Sequence, residues 1–393
     1  MKLITTIDAL PPALSASIST EERTYIEGIA ARSGLPFAVT SHFASLAGPE
    51  PDDPIRRQFM PDPRETQCDP FALNDPLGES CHRATPRLIH QYADRALLKT
   101  TAHCGGFCRF CFRRVWVAET ARGEWMAAPF ITAAELEPVL VYLKDHPEIR
   151  EILVSGGDPL TASNERLEWL FQGLREARPG LRSATPGLRE ARPNLRIANS
   201  ALSLRICTRL PITAPDRITP EFVGLLRRFS PLRLAVHINH PRELSPKSRN
   251  ALTAIVEAGI PVLVQTVLLK DVNDNVETLA ALFRECRDLG LIPYYLFQLD
   301  LAPGTAHFRV PLKQGLALYR ELQGTLVPAP AGTELKDDSS SVPLIPAYAV
   351  DLPGGGGKIR LSEESIAGEE ERPEGRVYLL KDRNGKLWPY PVE

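Results

Sequence analysis

Cys104-Gly105-Gly106-Phe107-Cys108-Arg109-Phe110-Cys111-Phe112-Arg113-Arg114 is the stretch on which the reading of this chain turns. Three thiols fall within eight residues at the spacing C-x3-C-x2-C. Soft ligands packed this densely point to a metal. Zinc would need a fourth nitrogen or sulfur to close its tetrahedron, from His103 or from a distant histidine. An iron–sulfur cube normally takes four thiolates, one per iron, and no fourth cysteine follows nearby. Three cysteines on a cube leave one iron open to a small molecule. A disulfide fits less well, because an odd number of thiols cannot all pair.

Working outward, the 393 residues are 43% hydrophobic, enough for one large core or two domains. The formal net charge is −2 and the charges are spread along the chain, so nothing suggests a nucleic-acid footprint. The first seventeen residues carry one lysine and no sustained apolar run, and no stretch reaches membrane-spanning length. With seven cysteines and no secretory signal, a reducing cytoplasmic setting is expected. Cys68, Cys81, Cys207 and Cys286 are scattered singly and read as small buried or half-buried residues.

The periodicity predicts a helix over 20–34 capped by Thr20, then an irregular, partly helical segment to residue 94. Strands are predicted at 96–101, 151–155, 204–208, 232–237, 261–267 and 293–300. Helices are predicted between them, from the capping box Thr132-Ala-Ala-Glu135 to about 146, and at 165–177, 220–228, 248–258 and 276–289. Pro138 weakens the first turns of the earliest. Short apolar strands alternating with amphipathic helices mean parallel pairing. Six units are too few to close an eight-stranded barrel, so the expected fold is α/β, a partial (β/α)6 TIM-type barrel. The expected division is an N-terminal segment 1–94, the barrel 95–310, and a C-terminal extension 311–393. The cysteine loop, Gly156-Gly157-Asp158, Cys207-Thr208-Arg209, His237 and Asp300 all fall at C-terminal strand ends, where such folds place their chemistry. A tandem repeat, 173–182 and 187–196, reads as a surface insertion, and 328–341 as an exposed loop.

A second informative stretch is Asp351-Leu-Pro-Gly354-Gly355-Gly356-Gly357-Lys358. Four glycines cost backbone entropy, so the loop needs unusual dihedrals or close approach to a ligand, unless it is a plain flexible linker. The phosphate-loop pattern fails at Leu352 and Ile359. A lysine that meets an aldehyde cofactor without steric obstruction is the other use of such a loop.

The three-cysteine loop resembles that of the radical S-adenosylmethionine (SAM) enzymes, in which SAM chelates the open iron. Together with Asp53 to Phe59, Asp75 to Glu79, Ser155 to Asp158, His237 to Pro241, Val272 to Asp274, Pro293 to Tyr295, Gln298 to Asp300, His307 to Arg309 and Asp351 to Lys358, the chain resembles the lysine 2,3-aminomutase family, which also uses pyridoxal phosphate (PLP). The cysteines indicate the superfamily and the Asp351–Lys358 element the family.

The resemblance implies a radical SAM barrel, a [4Fe–4S] cluster on Cys104, Cys108 and Cys111, and PLP on Lys358 with Arg95 and Arg109 near its phosphate. It implies SAM along Gly156, Gly157, Asp158, His237 and Gln265. Arg113 would take a substrate carboxylate, and Asp300 and Asp351 the ε-ammonium of L-lysine. A one-electron reductant such as flavodoxin or ferredoxin, and a homo-oligomer, are expected by the same resemblance. Two carboxylates argue for lysine over glutamate, because an unpaired buried like charge is costly. Three departures stand out: Phe110 and Phe112 in the cluster loop, Gln91 where a further phosphate-side arginine is expected, and a tail 361–393 without cysteine. The phenylalanines and Gln298-Leu-Asp300 resemble the branch that acts on translation elongation factor P. That role, another basic amino acid, or a non-catalytic iron–sulfur protein are the competing readings.

Overall fold

The computed structural model describes residues 2–30, 34–124, 130–177, 202–326 and 345–392. At the N-terminus β1 (Leu3–Ile4) pairs antiparallel with β2 (Val39–Thr40). The main sheet then runs in chain order through β3 (Leu88–Tyr92), β4 (Arg95–Thr101), β5 (Glu151–Gly156), β6 (Ser203–Thr208), β7 (Leu232–His237), β8 (Val262–Val267), β9 (Ile292–Phe297), β10 (Ala347–Leu352) and β11 (Gly357–Arg360). β4 through β10 are parallel; β3 and β11 are antiparallel to their neighbours and form the two edges. Strictly sequential order with right-handed crossovers puts every connecting helix on one face. The sheet therefore curls around its other face as an incomplete barrel, and its C-terminal strand ends open onto one cavity.

The local reasons follow the sequence closely. β5 is Glu-Ile-Leu-Val-Ser-Gly and almost wholly buried, as a strand covered on both faces must be. Thr132 and Glu135 form the capping box of the helix Ala133–Asp145. Pro138 does not break that helix: it lies on the exposed side, while Leu136, Val139 and Leu143 anchor the other. Asn275 caps Val276–Asp288, whose Leu279, Ala280, Leu282, Phe283 and Cys286 form the buried stripe.

Some expectations change. Ser19, not Thr20, caps the first long helix through a capping box with Glu22, and the helix widens into a π-turn at Tyr25–Ala30. A helix at Leu312–Leu326 leads to β10, a seventh parallel strand, so the sheet continues past residue 310. A separate antiparallel sheet of β12 (Ile366–Arg372), β13 (Gly375–Lys381) and β14 (Leu387–Pro391) follows. The second repeat copy and the 328–341 loop lie outside the described residues. Cys68 and Cys81 are exposed and Cys286 is buried, whereas Cys207 lines the central cavity. Among the described residues no helix is long and apolar enough to cross a membrane.

Candidate active site

The cavity at the strand ends measures about 1170 Å³. Cys104, Cys108, Cys111, Arg95, Arg113, Gly156, Gly157, Asp158, His237, Gln265, Asp300, Asp351 and Lys358 all line it. The cysteine loop and the lysine after the glycine tract are thus brought together although some 250 residues separate them.

The cysteine loop leaves β4 and is clamped from beneath by the end of β5. The Gly157 amide donates to Thr101 O at 2.5 Å and the Asp158 amide to His103 O at 2.6 Å. A side chain at Gly156 or Gly157 would strike the backbone of Thr101 or His103, so both glycines are required by this approach. The Asp158 carboxylate is fully engaged: it accepts from the Arg209 amide at 2.7 Å, the Leu160 amide at 3.0 Å and the Thr208 hydroxyl. Burial still pushes the pKa of Asp158 above the usual carboxylate range.

Burial and mutual repulsion raise the thiols too, Cys104 well above the ordinary value and Cys111 up to about 11. Such a set ionises when it binds a cationic centre, which inverts the local electrostatics. Among the described residues no three Cys, His, Asp or Glu side chains are gathered as a single metal ion requires. Three soft thiols around one opening fit an iron–sulfur cube, which takes one thiolate per iron.

Behind Cys108 stands Arg209, which the sequence places at a strand end without a specific role. Its Nη1 donates to Cys108 Sγ at 2.9 Å, and its Nη2 to Gln58 Oε1 at 2.6 Å and Glu243 Oε2 at 2.9 Å. His237 Nε2 lies 3.0 Å from Asn239 Oδ1, which also accepts the Val267 amide; the imidazole therefore donates there. Burial, with Arg209 nearby, lowers the His237 pKa to about 3, so the ring is neutral.

Arg109 is a correction. It does not reach the cavity: Nε and Nη2 bind Glu65, Nη1 binds Pro36 O and Nη2 also binds Leu35 O. With its guanidinium wholly buried, it anchors the N-terminal segment to the cysteine loop, and Glu65, Leu35 and Pro36 take four of its five N–H groups. Arg95 does line the cavity, in an ion pair with its neighbour Asp94.

Arg113 donates from Nε to Glu79 Oε1 at 3.0 Å and from Nη1 to Ser155 Oγ and Gly156 O. Lys99 holds the other Glu79 oxygen at 3.3 Å. Two cations thus share one carboxylate, which leaves an excess positive charge. Around Lys358 there are two carboxyl groups and one amine. Its amine is ion-paired with Asp351, its cross-strand partner, and lies 4.0 Å from the centroid of the Phe297 ring. Burial and the Asp351 charge push Asp300 up to about 8. Asp300 therefore keeps its proton at neutral pH, and a cation arriving beside it would favour loss of that proton.

The glycine tract is a built turn rather than a loose linker. Gly354, Gly355 and Gly357 have positive φ, and a side chain at Gly356 would collide with Leu352 and Trp388. Gly355 O accepts from Gln91 Nε2 at 3.1 Å and Gly354 N donates to Pro76 O at 2.9 Å. Lys358 therefore starts from a fixed backbone, and its amine, paired with Asp351, lies close to the rings of Phe297 and Tyr295.

No protein-family model matches the chain. It is 40% identical over 341 residues to a putative L-lysine 2,3-aminomutase of Treponema pallidum, covering 86% of this chain and 83% of that one. It is 33% identical to the L-lysine 2,3-aminomutase of Acetoanaerobium sticklandii, over 82% of this chain and 68% of that one. The L-lysine 2,3-aminomutase of Escherichia coli is 37% identical over 75% of this chain and 78% of its own. Among solved structures, Streptococcus suis SuiB aligns over 67% of this chain and 50% of that one, at 12% identity and a TM-score of 0.43, a likeness too loose to add to the strand order.

Proposed function

Because the chain belongs to the L-lysine 2,3-aminomutase family, we propose that it is a radical SAM, PLP-dependent isomerase that converts L-lysine to L-β-lysine by moving the amino group from C2 to C3. The observation that carries this reading is one cavity lined both by the three-thiol loop and by Lys358, with Arg113, Asp300 and Asp351 also on its wall. When bound, the [4Fe–4S] cluster with SAM supplies a carbon radical able to remove hydrogen from C3, and PLP supplies the conjugated ring that lets the nitrogen migrate.

The chain supplies position. Cys104, Cys108 and Cys111 would hold the cluster, and Lys358 the PLP aldehyde. Gly156, Gly157, His237 and Gln265 would line the SAM space between them. The excess charge of Arg113 and Lys99 over Glu79 is what a substrate carboxylate neutralises. A distal ammonium beside Asp300 and Asp351 would displace the Asp300 proton and pair with the carboxylate so formed. Arg113 already acts on Asp300 through space, so both groups share one field. A diamino acid is thereby held by both ends with its C2–C3 bond in a fixed place, which is the main contribution a protein makes to such chemistry. Phe110, Val267 and Leu299 form an apolar wall that keeps water from the reacting carbons. A small one-electron donor protein is the expected source of the reducing electron.

The test is anaerobic incubation of the iron-reconstituted, PLP-loaded protein with L-lysine, SAM and dithionite. β-Lysine should accumulate. SAM cleavage without β-lysine would refute the substrate and leave only the radical chemistry; no SAM cleavage would refute both.

A further inference from the structure

Resting on the cluster assigned above, we infer that Arg209 is a positioning residue that raises the reduction potential of the iron–sulfur centre through Cys108. Arg209 follows directly on β6, and its backbone amide is pinned to Asp158 at 2.7 Å. Its guanidinium is held through both terminal nitrogens, while Nε is buried without a hydrogen-bond partner among the described residues. Nη1 meets Cys108 Sγ at 2.9 Å, Nη2 meets Gln58 and Glu243, and the rings of Phe43 and Phe110 lie 4.9 and 5.5 Å from its central carbon. Gln58 and Glu243 are themselves fully buried and hydrogen-bonded to each other at 3.0 Å. A group fixed this tightly is poorly placed to follow a substrate; it is aimed at one sulfur.

A ligating thiolate gains negative charge when the cluster accepts an electron. A charge-assisted donor on that sulfur therefore favours the reduced state more than the oxidised one. Arginine keeps its proton across the working pH range, so the effect is constant where a lysine or histidine would titrate. Glu243 offsets part of the cation's distant field but not the directed N–H contact, which leaves the bond to Cys108 as the dominant influence.

A purely structural role, clamping the cysteine loop to Gln58, is the alternative, and the potential separates the two. Full-length protein is reconstituted with iron and sulfide, without SAM or substrate. Iron content and the midpoint potential are then measured by mediated titration with dithionite under electron paramagnetic resonance. Arg209→Met, which keeps bulk but loses charge and donors, should bind iron as the parent does. It should be about tenfold harder to reduce at a fixed donor potential, a downward shift of ~59 mV for a one-electron couple. Arg209→Lys should fall between the two. An unchanged or higher midpoint in Arg209→Met overturns the inference. So does loss of iron from both variants, since Arg209 then holds the loop rather than tunes the sulfur. A parent chain that binds no iron–sulfur centre overturns the proposed function as well, whereas a loaded parent with indifferent variants overturns this inference alone.

Discussion

The backbone amide of Lys358 donates to the phenolic oxygen of Tyr92 at 2.9 Å, and this bond bridges the two edges of the barrel sheet. β3 and β11 share no ladder, so the seam between them is held by side chains, here Tyr92 and, beside it, Gln91 on Gly355. Tyr92→Phe keeps the ring and removes the acceptor. The expected cost is about 1 kcal/mol of stability, the worth of one neutral hydrogen bond. Because the lost bond fixes the strand that carries Lys358, PLP retained after gel filtration should also fall. Unchanged thermal unfolding together with unchanged PLP retention would show that the seam does not depend on this contact.

Lys358 and the cysteines share a cavity but are not expected to share a dependence. Lys358→Ala removes the amine and leaves the 104–111 loop untouched. Borohydride trapping of PLP should be abolished while iron content stays at the parent level. Persistent trapping in the variant would move the PLP attachment to another amine.

Glu65 supports the cysteine loop from outside. One buried carboxylate accepts from Arg109 Nε at 2.7 Å and also pairs with Arg114. Replacing it with glutamine would leave Arg109 buried with no counter-charge, which costs roughly 3–5 kcal/mol in comparable sites. The two arginines outweigh burial and hold the Glu65 pKa below its ordinary 4.5. A depressed acid stabilises the fold in full above its unfolded pKa and loses that contribution as pH falls through the folded one. Urea denaturation should therefore show a large difference between parent and Glu65→Gln at pH 7 that shrinks well below pH 4.5. A difference that does not change with pH would mean that shape, not charge, is what the site needs.

Arg109 shows where the sequence stops being sufficient. Its place between two cluster cysteines suggests a role in the site, yet its side chain turns away to Glu65 and Leu35, partners 44 and 74 residues distant. Nothing local encodes that direction. Arg209 is the reverse case: it reaches Cys108 across 101 residues, and its only hint was its position just beyond a predicted strand. What was legible had a short-range cause. The six strands each carry a short apolar stretch between helices, and the glycine tract needs backbone angles that side chains disfavour. The helix Leu312–Leu326 escaped notice because Gly315 and Gly324 interrupt its propensity; Gly315 is there because a side chain would collide with the Tyr348 hydroxyl. β12, with Glu369, Glu370 and Glu371 in a row, has no alternation to read and is held by its ladder to β13.

Asp300 yields a proton-linkage prediction. Burial first, and then the Asp351 charge, push its pKa up to about 8, far above the ordinary 3.8. Between those values the folded chain holds a proton that the unfolded chain has released. Stability of the protein without substrate should therefore decline as pH rises from about 4 to about 8 and level off beyond, and Asp300→Asn should flatten that slope. The same proton must leave when a distal ammonium arrives, because a cation beside the pair favours the ionised carboxylate. Calorimetry of L-lysine binding to the reconstituted protein at pH 7, repeated in phosphate and in Tris, should give heats that differ by the buffer's uptake of the released proton. Norleucine, which lacks the ammonium, should release none, and neither should Asp300→Asn with lysine. Equal heats for lysine in both buffers would place the ammonium elsewhere and remove Asp300 from the substrate site.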